Sequence, residues 1–191
     1  MMLLRTAGGA VDGARWTAPA SEVDVRVLAE ARGPVLDVGC GPGRHARALV
    51  ERGIVALGID LTPQLVDLAR FRGVDALARC VFDRVPACGR WRTVLLLDGN
   101  IGIGGDPVAL LRRTRELLAP DGRVLVEAGG AGPSRGAEGA RVEVAGELGP
   151  RFRWQVVGAD DLLDHATAAG MAAERTWLDE GRWFAWLRPA V

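Results

Sequence analysis

The 191-residue chain has no lysine and no tyrosine, and only 5% of it is aromatic. Its 24 basic side chains, all arginine, face 24 acids. That balance leaves no electrostatic footprint for a polyanion, so no nucleic-acid partner is expected. Long hydrophobic runs are missing too. No stretch approaches the ~20 apolar residues of a membrane span, and no membrane partner is expected. Met1-Met2-Leu3-Leu4-Arg5 turns polar too soon for a secretory leader. A cytoplasmic location is the expectation. Cysteine is scarce: Cys40, Cys80 and Cys88 form an odd set without zinc-type spacing. They read as reduced thiols, with no metal site. Asparagine occurs once, at Asn100, and isoleucine four times. Asn100, Ile101 and Ile103 share one short loop. Residue types that a composition disfavours, gathered in one place, invite a functional reading of that place.

What is present is concentrated in Val35-Leu36-Asp37-Val38-Gly39-Cys40-Gly41-Pro42-Gly43-Arg44-His45. A short apolar strand carries an acid near its end, and three glycines at alternate positions follow. Glycines let the backbone turn tightly and let a ligand approach closely. A helix-like segment, Arg44 to Arg52, begins at once and offers free N–H groups and a positive dipole end. The next strand, Ile54 to Ile59, ends on Asp60, about 20 residues beyond the first glycine. An acid there accepts hydrogen bonds from ribose hydroxyls. The glycine spacing is G-x-G-x-G, with Arg44 at the third-glycine position of a dinucleotide fingerprint. Asp37 lies two residues before the first glycine. A carboxylate there suits a ligand with an ammonium group and repels a pyrophosphate.

In this combination, Asp37 through Gly43 with Asp60 resembles the class I S-adenosylmethionine-dependent methyltransferase family. The resemblance covers the chain from about Val35 onward. It implies an α/β, Rossmann-like, doubly wound fold. Its mostly parallel seven-stranded sheet has an antiparallel C-terminal strand and helices on both faces. It also implies S-adenosylmethionine as cofactor.

The pattern along the chain agrees with that fold. Residues 1–20 read as a loose arm. Ser21 and Asp24 form an N-terminal helix signal for a helix to about Ala31. Strands are expected at Val74–Ala78, Thr93–Leu97 and Arg123–Glu127, and helices from Pro63 to Phe71 and from Pro107 to Leu118. The wholly apolar Thr93–Leu97 suits a buried parallel strand. Ala128–Gly139 is glycine-rich and reads as mobile. Arg141–Ala145 and Phe152–Val157 alternate and read as a hairpin. Asp160–Ala169 reads as a helix, and Ala173–Leu178 with Trp183–Leu187 as a terminal hairpin. A single domain is expected: arm and helix in 1–33, a cofactor-binding half in 34–127, and a C-terminal half in 128–191.

The resemblance assigns Asp37, Gly39, Cys40, Gly41 and Gly43 to the methionine half of the cofactor. His45 would touch the cofactor carboxylate, Asp60 the ribose, and Leu61 the adenine. At the adenine end two alternatives stand: Asp83, or backbone atoms of Val81 and Phe82. Asp98, Gly99 and Asn100 follow the fourth strand of the parallel unit, where ligands border open sheets. Asp98 is the candidate to stabilise the sulfonium or take a proton, and Asn100 the candidate to orient either substrate or cofactor. Trp16 and Trp154 lie in segments able to fold over the mouth. The function expected is methyl transfer to a small-molecule acceptor, mainly by proximity and orientation. The competitors are a nicotinamide-dependent reductase and a non-catalytic cofactor-binding module.

Overall fold

The computed structural model describes residues 2–6 and 9–190, with only the backbone of Val11. Two short strands, β1 (Met2–Thr6) and β2 (Gly9–Asp12), lead to one helical turn, α1 (Ala14–Thr17). Helix α2 (Glu22–Leu28) starts as its sequence predicts. The Ser21 hydroxyl accepts the Asp24 N–H, and the Asp24 carboxylate accepts the Ser21 N–H in return. The chain then alternates through β3 (Val35–Val38), α3 (Arg44–Val50), β4 (Ala56–Asp60), α4 (Pro63–Phe71), β5 (Ala76–Ala78) and β6 (Trp91–Leu96). A 3-10 turn at Asn100–Gly102 precedes α5 (Pro107–Leu117). Asp106 caps α5 and proline occupies its first turn. The rest comprises β7 (Leu118–Glu127), β8 (Arg135–Val144), β9 (Glu147–Leu148), β10 (Phe152–Val156), α6 (Leu162–Ala168), β11 (Met171–Asp179) and β12 (Arg182–Pro189).

Seven strands form one sheet in the order β11-β12-β7-β6-β3-β4-β5. The five strands β3 to β7 pair in parallel, and β12 runs antiparallel to both β7 and β11. This is the expected sheet with its terminal hairpin. Both faces are apolar because neighbouring residues of one strand face opposite ways. Val94 and Leu96 of β6 pack with Leu110, Leu111 and Leu162 beneath α5 and α6. Leu95 of the same strand packs with Val27, Leu49 and Val66 beneath α2, α3 and α4. Trp186 is fully buried on that second face, and Trp177 stacks on Phe184 beside it.

Two expectations fail at the other sheet. The first residues are not a loose arm, and Arg135–Gly139 is strand. β1 pairs with β2 on one side and β8 on the other, β8 pairs with β10, and β9 joins β8. The hairpin expected around Gly149-Pro150 is therefore the nucleus of a larger sheet. Its inner face carries Met2, Leu4, Ala140 and Val142, packed on Leu65 of α4 with Phe152 and Trp154. Pairing between strands more than 130 residues apart, as Met2 with Val144, leaves no local signature, which is why the arm reads as unstructured.

Candidate functional site

A cleft opens at the carboxyl ends of β3, β4, β5 and β6, where open parallel sheets bind ligands. The second sheet covers it with Leu4, Val142, Phe152 and Trp154. Its space, open mouth included, is about 910 Å³.

The glycine loop forms one wall. Gly39 and Gly41 have φ of 69° and 53°, a region open mainly to glycine. A Cβ on Gly39 would lie 2.7 Å from Asn100 Nδ2, whereas one on Gly41 would meet nothing within 4 Å. Gly39 is thus required by its neighbours, while Gly41 borders open cleft. Asp60 closes the loop from beneath. Its Oδ2 accepts the Gly41 N–H at 3.0 Å and its Oδ1 the Thr62 N–H at 2.8 Å. Burial raises the Asp60 carboxyl above the usual range, and these backbone donors oppose the rise. Cys40 is buried against Gly58, where any Cβ would lie 2.6 Å from its sulfur. Burial pushes its thiol up, which suits a packing residue and not a nucleophile.

Of the expected cofactor residues, Gly39, Cys40, Gly41, His45, Asp60, Leu61, Val81 and Asp98 line this cleft. Five do not. Asp37 lies under the loop at 1% exposure, and its Oδ2 has no hydrogen-bond partner among the described residues. Burial lifts its carboxyl to about 6, with Asp98 adding and His45 and Arg44 opposing. Gly43 caps α3 at φ 81°, with Ala69 and Val74 about to touch any side chain there. It serves packing. Phe82 is exposed and turned toward Gly104. Asp83 is exposed, and Arg113 holds its carbonyl at 2.8 Å and the Val81 carbonyl at 2.9 Å. Of Val81, Phe82 and Asp83, only Val81 lines the cleft, joined by Arg79 and Cys80, which no sequence motif marks. Gly99 faces a neighbouring pocket.

The two catalytic candidates also change character. Asn100 Nδ2 donates to the carbonyls of Val38 and Gly39 at 2.8 and 3.0 Å. Asn100 thus pins the glycine loop and acts as a positioning residue. Asp98, at φ 56°, is gripped by Arg44 through both carboxylate oxygens at 2.6 and 2.7 Å, and by Arg15. Burial alone would raise the Asp98 carboxyl, but His45, Arg44 and Arg15 outweigh it and hold it low. A carboxylate so held is a poor proton acceptor.

These contacts belong to a buried charge network. Arg44 donates to Asp24 at 2.8 Å, and Arg182 donates to Asp24 at 2.9 Å. Arg182 also grips Glu127 through two bonds of 2.8 Å, and Glu127 accepts the Asp98 N–H at 2.7 Å. His45 Nε2 lies 3.4 Å from Asp24 Oδ1 without forming a hydrogen bond. Removing Arg44, a buried member of this network, leaves Asp24 and Asp98 short of a partner, at a cost of about 3–5 kcal/mol. Arg182 comes from the terminal hairpin, Asp24 from α2 and Arg15 from α1. No motif announces them; only chain packing unites them.

The neighbouring pocket shares Leu4, Trp16, Asp98 and Trp154 with the cleft. It continues over the ends of β6 and β7, past Glu127 and Ala128, under the second sheet. Trp16 and Trp154 thus stand where the two spaces meet, as their segments suggested.

A parallel sheet with glycine loop and Asp60 at its carboxyl edge defines a nucleoside-binding α/β protein. Comparison with known proteins narrows this. Residues 35–122 match a family model described as a methyltransferase domain. The chain is 34% identical over 106 residues to a ubiquinone biosynthesis O-methyltransferase of Xanthomonas oryzae, covering 52% of this chain and 43% of that protein. It is 33% identical over 104 residues to a mouse ATP synthase lysine N-methyltransferase, covering 51% and 40%. The chain spans less than half the length of these curated relatives. A solved Bacteroides fragilis S-adenosylmethionine-dependent methyltransferase, in complex with S-adenosyl-L-homocysteine, superposes with a TM-score of 0.82 at 25% identity. The match covers 100% of this chain and 88% of that one. Residues 35–122 thus resemble methyltransferase domains, and the whole chain shares the fold of a solved S-adenosylmethionine-dependent methyltransferase.

Proposed function

We propose that this chain transfers the methyl group of S-adenosylmethionine to a small-molecule acceptor held in the pocket beyond Trp16 and Trp154. One observation carries the reading. A glycine-walled cleft with Asp60 at its base opens directly into a second, roofed pocket. The residues fit the cofactor: Gly41 faces open space, and Asp60 is half-buried and reaches the wall. Gly39 and Gly41 would hold the methionine half, Asp60 the ribose, and Val81 and Leu61 the adenine. Bound there, S-adenosylmethionine supplies an electrophilic methyl on a sulfonium.

The protein's own contribution is positional. Asn100 fixes the loop, and the Asp24–Arg44–Asp98 chain fixes the floor between the two spaces. Holding two reactants in line contributes ~7–11 kcal/mol. Asp98 supplies a negative field beside the junction; it does not act as the base, because two arginines occupy it. The roof sheet favours a compact acceptor, since it leaves a pocket and not an open groove.

Calorimetry with S-adenosylhomocysteine tests the site. Hydrogen bonds to a charged acceptor are worth roughly 1.5–3 kcal/mol each. Asp60→Ala should therefore weaken binding at least about tenfold while circular dichroism stays unchanged. A folded variant with unaltered affinity would mean the site is elsewhere. Incubation with S-adenosylmethionine and a panel of small amines, phenols and carboxylates should yield S-adenosylhomocysteine. Product formed only with protein substrates would overturn the small-molecule reading, and none with any acceptor would favour a binding module.

A further inference from the structure

The inner face of the second sheet is apolar with one ionisable exception. Register sets that face: Leu4 opposite Val142, Phe152 opposite Ala140, Trp154 opposite Glu138. Cross-strand partners share a face, as do residues two apart on one strand. Among the described positions of β1, β10 and residues 138–144 of β8 on this face, Glu138 alone is ionisable. It is half-buried and lines the second pocket. No hydrogen bond or ion pair holds it among the described residues. Every other acid of that pocket has a partner. Asp98 has Arg15 and Arg44, Glu127 has Arg182, and Asp12 accepts the Ala14 N–H.

An unpaired carboxylate on an apolar face is costly unless something meets it. The pocket's charges name what could. Four carboxylates line it against three arginines, Arg15, Arg135 and Arg182. Arg182 is committed to Asp24 and Glu127, and Arg15 to Asp98. The bulge between Trp154 and Val156 brings Arg135 to the same face, but at the exposed rim, where water screens it. Next to Glu138 stands Trp154, and across the pocket Trp16. Indole faces attract cations. Acid and aromatics together make an ammonium site.

Resting on the methyl-transfer reading above, we infer that the acceptor is a flat-ringed molecule bearing an amine. Its ammonium meets the Glu138 carboxylate and its ring lies against Trp154. Glu138 is then a specificity-determining residue.

The test compares two probes with the same phenol ring, tyramine and 3-(4-hydroxyphenyl)propanoate, on protein saturated with S-adenosylhomocysteine. Calorimetry should find tyramine tighter by roughly tenfold or more, the size of one charge-assisted hydrogen bond. Glu138→Gln, which keeps shape and removes charge, should abolish that preference. Trp154→Leu should weaken both probes together. Equal binding of the two probes, or a preference that survives Glu138→Gln, overturns the inference while leaving methyl transfer standing. Failure of the wild-type protein to bind S-adenosylhomocysteine at all would overturn the methyl-transfer reading, and this inference with it.

Discussion

The two sheets of this protein differ in how they are built. The seven-stranded sheet is assembled from neighbours: β3, α3 and β4 follow one another and pair directly. Its ligand-facing parts are loops at strand ends, fixed by backbone hydrogen bonds to a few side chains. The second sheet is assembled from distant pieces, with Met2 opposite Val144. Its pocket-lining parts are side chains on a strand face, among them Leu4, Glu138 and Trp154. The first sheet offers a generic nucleoside seat. The second offers a lining that can vary without disturbing that seat. On the proposed reading, cofactor and acceptor are handled by separate structural units, joined by the Arg15–Asp98–Arg44 contacts.

That division can be broken or sharpened by substitution. The largest effect is expected at Gly41→Val. A branched side chain at φ 53° is strained and projects into the cleft. Binding of S-adenosylhomocysteine should be lost with circular dichroism little changed. Retained binding would show that the loop does not seat the cofactor.

A smaller effect is expected at Asn100→Ala. Two neutral hydrogen bonds to the glycine loop disappear, each worth ~0.5–1.5 kcal/mol. Cofactor affinity should drop roughly five- to a hundredfold, while the KM of any acceptor stays close to wild type. The reverse pattern would return Asn100 to the acceptor side, where its place in the sequence first suggested it.

The smallest effect concerns pH. Asp37 has its carboxyl raised to about 6 from the ordinary 3.8 by burial. The folded state then binds this proton more tightly than the unfolded chain. Its contribution to stability therefore falls as pH rises from about 4 to about 6, and the loss is complete above that. Asp37→Asn should flatten this part of the profile, by ~1–3 kcal/mol. Urea melts at pH 4, 5, 6 and 7 would read it. A variant with the wild-type slope would assign that slope to another group, Asp60 being the next raised carboxyl.

Much of the first sheet was legible in the sequence because its signals are local. The Ser21/Asp24 capping pair, the Thr62-Pro63 and Asp106-Pro107 helix starts and the three alternate glycines each act within a few residues. The expected helix starts at Arg44, Pro63 and Pro107 coincide with those observed. The roof was not legible. Alternation in Arg141–Ala145 and Phe152–Val157 showed one hairpin, which β8 and β10 form, but not its pairing with Met2–Thr6, which no turn signal links to it. Asp98 and Asn100 were found by place, but their partners, Arg44 and Arg15 for Asp98 and the Val38 and Gly39 carbonyls for Asn100, were not. Arg15 and Arg182 were not found at all.

Sequence alone therefore determined the glycine turn at the sheet edge: an acid-tipped strand, glycines that permit positive φ, and Asp60 at the next strand end. Those constraints are backbone geometry over short spans, and residue identity encodes them directly. Tertiary structure alone decided which charges meet and what covers the cleft. Asp24, Arg44, Asp98 and Arg182 lie up to 158 residues apart, and an ion pair carries no trace in the sequence of the partner it will find. The same holds for Glu138, whose place beside Trp154 follows from strand register. A shift of one residue in that register would turn it to the opposite face.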